Sequence, residues 1–230
     1  MATKNITIVL VHGAWGDGSH WKGVIPKLAK AGYKVRAVQN PLTSLADDVQ
    51  KTTDLVNAQD GKVLLVGHSY GGAVITGAGN NDKVTGLVYI AAFAPDKGES
   101  LGGLLAKRPT SGGGSIAPDD KGFLWIKYDE FQREFCPDVN DEDALVMSLS
   151  QKAISGQCFG DEMENPAWNK KPVWYQVSTR DKMIHPDTQR EMSARMNPKK
   201  TIELDASHAS LASKADEISK LILEAAESLS

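Results

Sequence analysis

Ser69 stands among glycines in Gly67-His68-Ser69-Tyr70-Gly71-Gly72, directly after the apolar run at 63–66. Glycines at that density belong where a backbone turns sharply or passes close to another. A serine on a tight strand-to-helix turn projects its hydroxyl from a sheet edge, where it can act as a nucleophile. The N–H of the next residue, here Tyr70, then faces the place that a carbonyl oxygen would take. The dipole of the following helix favours negative charge at the same point. The same turn could instead hold a capping serine with no chemistry, so the partners decide. A neutral serine needs a base, and the base needs an acid to orient it.

Five histidines are available: His12, His20, His68, His185 and His208. Of these, His208 in ELDASHASL follows the last strand-like run and precedes the final helical segment. Asp181, in VSTRDKMIHP, follows the preceding strand-like run in the same manner. Serine, aspartate and histidine in that chain order, each after a parallel strand, would meet at one carboxyl edge of a sheet. Asp96, after the run at 85–93, is the competing acid, and Asp205 is read as shaping the His208 loop. His185, beside Pro186, reads as a surface cap. His20 reads as a solvent-facing helix residue, and His68 as a ring packed beside the serine turn. In the first loop, His12-Gly13-Ala14, Gly13 lets the backbone turn toward Ser69. The amide of Ala14 is expected to be a second oxyanion donor with that of Tyr70.

Positioning these groups requires a particular frame. Apolar, β-rich runs at 6–11, 34–38, 63–66, 85–93, 173–178 and 201–204 read as strands, mostly apolar on both faces as in parallel sheets covered on both sides. Helical spacing lies between them: Trp21, Ile25 and Leu28 with Pro26 marking a kink or late start, then Ser44 with Asp47 as a cap, and Ser213 with Asp216 as another. The expected fold class is α/β, an open, mostly parallel sheet of about six strands flanked by helices. The stretch 96–171 breaks the rhythm. It carries SGGGS at 111–115, Cys136, Cys158 and a cluster of aromatics, with helical patterns near 128–136 and 141–154. It reads as an insertion into a core formed by 1–95 and 172–230, with SGGGS as a flexible loop inside it.

The bulk properties exclude several classes. The chain has 230 residues, 41% hydrophobic and 24% charged, with a formal net charge of −3. That charge leaves no basic footprint for nucleic acid and no polybasic patch for a membrane. The apolar run within the opening 13 residues is too short for a signal-peptide core or a membrane span. Two cysteines could pair, but free buried thiols in a reducing cytoplasm fit this size better. Neither H-E-x-x-H nor C-x-x-C occurs, so no zinc is expected, and the glycine patterns of phosphate or dinucleotide loops are missing.

The pieces VLVHGAWGDGSHW, LLVGHSYGG, VSTRDKMIHPDTQREM and ELDASHASLASKADEI together resemble the α/β-hydrolase fold, in its small branch of plant methylesterases, hydroxynitrile lyases and bacterial esterases. The resemblance extends through the insertion, at GFLWIKYDEFQREF and NPAWNKKPVWY. It implies a mostly helical cap over the active site, with Gly13, Trp125, Phe131, Phe135, Phe159 and Trp168 as candidates to line the pocket. Most cap aromatics are expected to hold the cap together, and one or two to touch substrate. Lyase members resemble one another in carrying threonine at the position of Gly13 and often lysine after the catalytic histidine, where this chain has Ala209. Dehalogenases and epoxide hydrolases of the fold would need aspartate at position 69.

The leading expectation is a serine carboxylic-ester hydrolase for small or medium apolar substrates, with Ser69, His208 and Asp181 as the triad and no cofactor. Its expected partner is a small-molecule ester, with neither nucleic acid nor membrane, as a monomer or homodimer. Lyase chemistry on the same scaffold and a non-catalytic receptor that binds a small molecule under the cap are the alternatives.

Overall fold

A computed structural model describes residues 5–229. The first four residues of the opening segment, weighed above as a leader, lie outside them. The strands are β1 (Ile6–Val11), β2 (Lys34–Ala37), β3 (Lys62–His68), β4 (Val84–Ile90), β5 (Ile116–Pro118), β6 (Phe123–Ile126), β7 (Ile154–Ser155), β8 (Val173–Ser178) and β9 (Lys200–Leu204). The helices are α1 (Ile25–Lys30), α2 (Leu45–Asn57), α3 (Tyr70–Ala78), α4 (Leu101–Lys107), α5 (Tyr128–Phe135), α6 (Asp141–Leu149), α7 (Gln157–Gly160), α8 (Pro186–Arg195), α9 (Ser210–Ser213) and α10 (Ala215–Ser228).

Six strands form one sheet in the order β2-β1-β3-β4-β8-β9, with every neighbouring pair parallel. Strands β1 and β8 are buried along their whole length, whereas the edge strands β2 and β9 hold only exposed and half-buried residues. The side-chain alternation of a strand explains the two layers of core. Val9 and Val11 of β1 join the layer beneath α3 with Val74, while Ile8 and Leu10 face Leu28 of α1 and Ile222 of α10.

Helix boundaries follow local chemistry. Pro26 sits in the first turn of α1, so the helix starts late and carries no kink, and Gly32 at φ +90° ends the segment. Ser44 caps α2 by accepting from the Asp47 amide at 3.0 Å. The second expected cap does not form. Lys214 stands at the N-terminus of α10, and the Ser213 hydroxyl is turned to Asp138 Oδ2 at 3.0 Å.

The chain between β4 and β8 leaves the sheet and returns beside β4. It holds α4 to α7, but also a three-stranded antiparallel sheet, β5-β6-β7, which the helical reading of this segment lacked. Residues 112–115 of the SGGGS stretch are not a loose loop. They form a 3₁₀ turn fixed by the Gly112 amide donating to Lys182 O at 2.9 Å and by Ser111 Oγ donating to Glu134 Oε2 at 2.6 Å. Cys136 and Cys158 are both buried free thiols, each pushed up to about 12 by burial.

Candidate active site

The turn from β3 into α3 places Ser69 at φ 54° and ψ −124°, a left-handed conformation that a non-glycine residue adopts only under constraint. The constraint is visible in the backbone: the Ser69 amide donates to Ile90 O at 3.2 Å, while Ser69 O accepts from Gly72 and Phe93. Gly71 has to be glycine because a Cβ there would lie 2.4 Å from the carbonyl oxygen of Val11. The spacing of G-x-S-x-G is therefore a packing requirement between α3 and the end of β1.

Three side chains converge at this edge. His208 Nε2 lies 2.8 Å from Ser69 Oγ, and His208 Nδ1 lies 2.7 Å from Asp181 Oδ2. The carboxylate accepts at Nδ1, so the proton sits there and Nε2 is left to accept from the serine hydroxyl. Asp181, in the loop after β8, is itself fixed. Its Oδ1 accepts the amides of Met183 and Ile184 at 2.7 and 2.9 Å, and its Oδ2 also accepts from Gln189 Nε2 at 2.8 Å. All three members are buried, His208 completely. Such an arrangement can take a proton from a hydroxyl and hold the resulting imidazolium beside a carboxylate. The competing acids are elsewhere: Asp96 takes part in a turn with Glu99, and Asp205 is exposed and paired with Arg180 at 2.5 Å.

Other histidines support the site from behind. His12 Nε2 accepts the Asn40 amide at 3.0 Å, so its Nδ1 carries the proton and donates to Gly13 O at 2.8 Å. Burial holds its pKa down to about 4, which keeps the ring neutral. His68 Nε2 donates to the carbonyl of His208 at 2.8 Å, and burial lowers its pKa well below the ordinary value. His185 caps α8 by accepting the Asp187 amide, at 3.1 Å. His20 corrects the reading of a solvent-facing residue: it is 7% exposed, its ring sits against Gly16 and Phe135, and burial lowers its pKa to about 4. The short 3₁₀ turn at Gly18–Trp21 points it inward, a direction that helical spacing could not reveal.

Ser69 opens onto a cavity of about 420 Å³. Ala14 and Tyr70 line it beside the serine, and its wall is almost wholly apolar, with Trp15, Phe93, Leu105, Ile116, Phe159 and Met183. Gly13 lies close underneath, where a Cβ would come within 2.7 Å of Ser69 Cβ. Of the five aromatics named from sequence, Phe159 lines the cavity and the others are placed elsewhere. Phe135 packs edge-on over His208 with centroids 4.9 Å apart, and Phe131 stacks behind it. Trp125 donates to Asp119 Oδ2 at 3.1 Å within the β5–β6 hairpin. Trp168 donates to Pro95 O at 3.0 Å, at the point where the inserted segment leaves the core.

The sequence reading missed Gln189, His68 as a bond to the histidine loop, and the 102–116 segment that supplies much of the wall. Trp15 was the most findable, since it directly follows Ala14. Its φ of 59° turns the ring toward the cavity, and its indole N–H donates to Leu124 O at 3.0 Å. Among the described residues no helix is long and apolar enough to cross a membrane, and no group of three or more His, Cys, Asp or Glu is placed to hold a metal ion.

A family model described as the alpha/beta hydrolase family matches residues 8–221. The chain belongs to that family. Among curated relatives, a carbendazim-hydrolyzing esterase of Nocardioides sp. (strain SG-4G) is 38% identical over 113 residues, 43% of this chain and 47% of that protein. The match thus spans about half the length of that esterase. Methylesterase 8 of Arabidopsis thaliana is 28% identical over 250 residues, covering 96% of this chain and 90% of the relative. Among solved structures, a pyrethroid hydrolase from Sphingobium faniae JZ-2 superposes with a TM-score of 0.85 at 25% identity, over 96% of this chain and 98% of that one. The six-stranded parallel sheet flanked by helices is the fold of that family.

Proposed function

We propose that this chain is a serine carboxylic-ester hydrolase that works through an acyl-enzyme. Ser69 Oγ attacks the ester carbonyl carbon while His208 Nε2 takes its proton, and Asp181 steadies the imidazolium. The amides of Ala14 and Tyr70 hold the negative oxygen of the tetrahedral adduct. Collapse of the adduct expels the alcohol, which receives the proton from His208. Water, deprotonated by the same nitrogen, then attacks the acyl carbon; the acid leaves and Ser69 regains its proton. No cofactor takes part.

The observation that carries this reading is the 2.8 Å contact of Ser69 with His208, itself 2.7 Å from Asp181, at the mouth of an apolar cavity. Relatives named as esterases and methylesterases support the same chemistry. A cavity of about 420 Å³ walled by Trp15, Phe93 and Phe159 suits neutral esters of small or medium apolar groups. Gly13 and the buried Ala209 offer neither a hydroxyl nor a cation, which weighs against cyanohydrin cleavage.

The test is Ser69→Ala, measured with a chain-length series of p-nitrophenyl esters and with carbendazim. The expected result is loss of all ester turnover with an unchanged melting temperature and, in wild type, a preference for short and medium acyl chains. Retained turnover in Ser69→Ala contradicts the assignment, and a preference for long chains contradicts the substrate class.

A further inference from the structure

Tyr70 serves two places at once. Its backbone begins α3 beside the nucleophile, while its side chain runs into the core and is fully buried. There its hydroxyl donates to Asp48 Oδ2 at 2.5 Å, and Asp48 Oδ1 accepts the amide of Leu42 at 2.8 Å. Asp48 lies on the inward side of α2 with no exposed surface, and burial raises its pKa despite both donors. A carboxylate in such a place is costly, and an apolar pair of similar volume would serve the core as well or better. The pair therefore calls for a role other than stability.

The strained turn supplies one. The peptide that joins Ser69 to Tyr70 follows a residue at φ 54° and ψ −124°, and such a conformation persists only where its surroundings over-determine it. A phenol anchored at its far end makes the Tyr70 side chain a lever on that peptide plane, and so on the direction of its N–H. The inserted segment grips the same anchor. Ser155 of β7 donates to Leu42 O at 2.8 Å, and the Cys158 thiol of α7 faces the phenol oxygen.

We propose that Asp48 and the Tyr70 side chain are positioning residues that hold the Tyr70 amide on the oxyanion of the tetrahedral adduct. This rests on the ester-hydrolase reading above. Neither side-chain oxygen touches the reacting atoms; both act through the backbone N–H. An amide held slightly off its direction costs little in the ground state and much in the adduct, so the effect falls on kcat and leaves KM alone.

The experiment compares wild type with Tyr70→Phe, Asp48→Leu, Asp48→Asn and Ser69→Ala. It measures kcat and KM for a short p-nitrophenyl ester, Ki for phenylboronic acid, and melting temperature. Tyr70→Phe and Asp48→Leu should each lower kcat about tenfold, less than the ~10²–10³ for deleting an oxyanion donor outright. KM should stay unchanged, and Ki for the boronic acid, which mimics the tetrahedral adduct, should rise by the same factor as kcat falls. Asp48→Asn keeps an acceptor for the Leu42 amide and a polar partner for the phenol, so it should recover most of the loss seen in Asp48→Leu. Wild-type kcat in folded Tyr70→Phe overturns the proposal, as does a change confined to KM. If Asp48→Leu does not fold, Tyr70→Phe decides alone. Turnover surviving in Ser69→Ala would instead bring down the hydrolase reading, so the two failures are distinguishable.

Discussion

Replacing Asp181 by Asn exchanges one oxygen for an NH₂ group and should nearly stop the reaction. The carboxylate accepts four hydrogen bonds, from Met183 and Ile184 at Oδ1 and from His208 and Gln189 at Oδ2. In Asp181→Asn the carbonyl oxygen stays with the two backbone amides, so the new NH₂ faces His208 Nδ1 and Gln189 Nε2. Gln189 cannot turn over, because its Oε1 accepts the Ser178 amide at 3.0 Å. His208 then gives up the proton on Nδ1 and carries it on Nε2, where it can only donate to Ser69. The serine has lost its base. Triads altered in this way lose about 10⁴ in kcat, or about 5 kcal/mol of transition-state stabilisation. Gln189 Nε2 keeps its bond to Ile184 O at 2.9 Å, but its other N–H loses its acceptor, which costs about 1–3 kcal/mol of folding stability, a loss of several degrees in melting temperature. The assay is kcat on p-nitrophenyl butyrate together with calorimetry. A variant within tenfold of wild-type kcat would refute the argument that Asp181 sets the tautomer of His208.

Three further outcomes follow from particular contacts. His12 and His20 are held by burial at about 4, and His68 well below its ordinary value, so the unfolded chain protonates first as pH falls. The contribution of His12 and His20 is whole above about pH 6.5 and is lost progressively toward about pH 4, by up to about 3 kcal/mol for each of the two, and His68 acts in the same direction; urea melts at pH 8, 6 and 5 would contradict this if the midpoint did not fall. Gly13→Thr puts a Cβ within 2.7 Å of Ser69 Cβ, and the displaced nucleophile should cost about a hundredfold in kcat; activity near wild type would show that the loop can yield. Phe159→Ala should move the chain-length preference toward bulkier esters, whereas Trp168→Phe, which loses the bond to Pro95 O, should lower stability by about 1 kcal/mol and leave the preference alone. The reverse pattern would mean that Trp168 lines the pocket and Phe159 does not.

What could be read from the residues had local causes. Buried strands such as β1 and β8 announce themselves as unbroken apolar runs, and the glycines around Ser69 record a close approach that no other residue permits. The order of Ser69, Asp181 and His208 was legible because each lies within four residues of the C-terminal end of a strand. What was hidden depends on distant partners. The three strands of the inserted segment are two to four residues long, too short for any periodicity to show. The SGGGS run looks flexible by composition, yet Lys182 and Glu134 hold it in place. Phe131, Phe135 and Phe159 are alike in sequence. Only the path of the chain decides that Phe159 faces the cavity while Phe135 covers the His208 imidazole. The Asp48 carboxylate sits on a helix face whose spacing gives no sign that it points inward to a tyrosine.

The central claim is that one serine carries the acyl group. Reaction with a fluorophosphonate followed by peptide mass mapping addresses it directly. The account predicts one phosphonyl group per chain, on the peptide that contains Ser69, with ester turnover lost in proportion to labelling and no labelling in Ser69→Ala. Full labelling at another residue, or undiminished ester hydrolysis by chains labelled at Ser69, would contradict it.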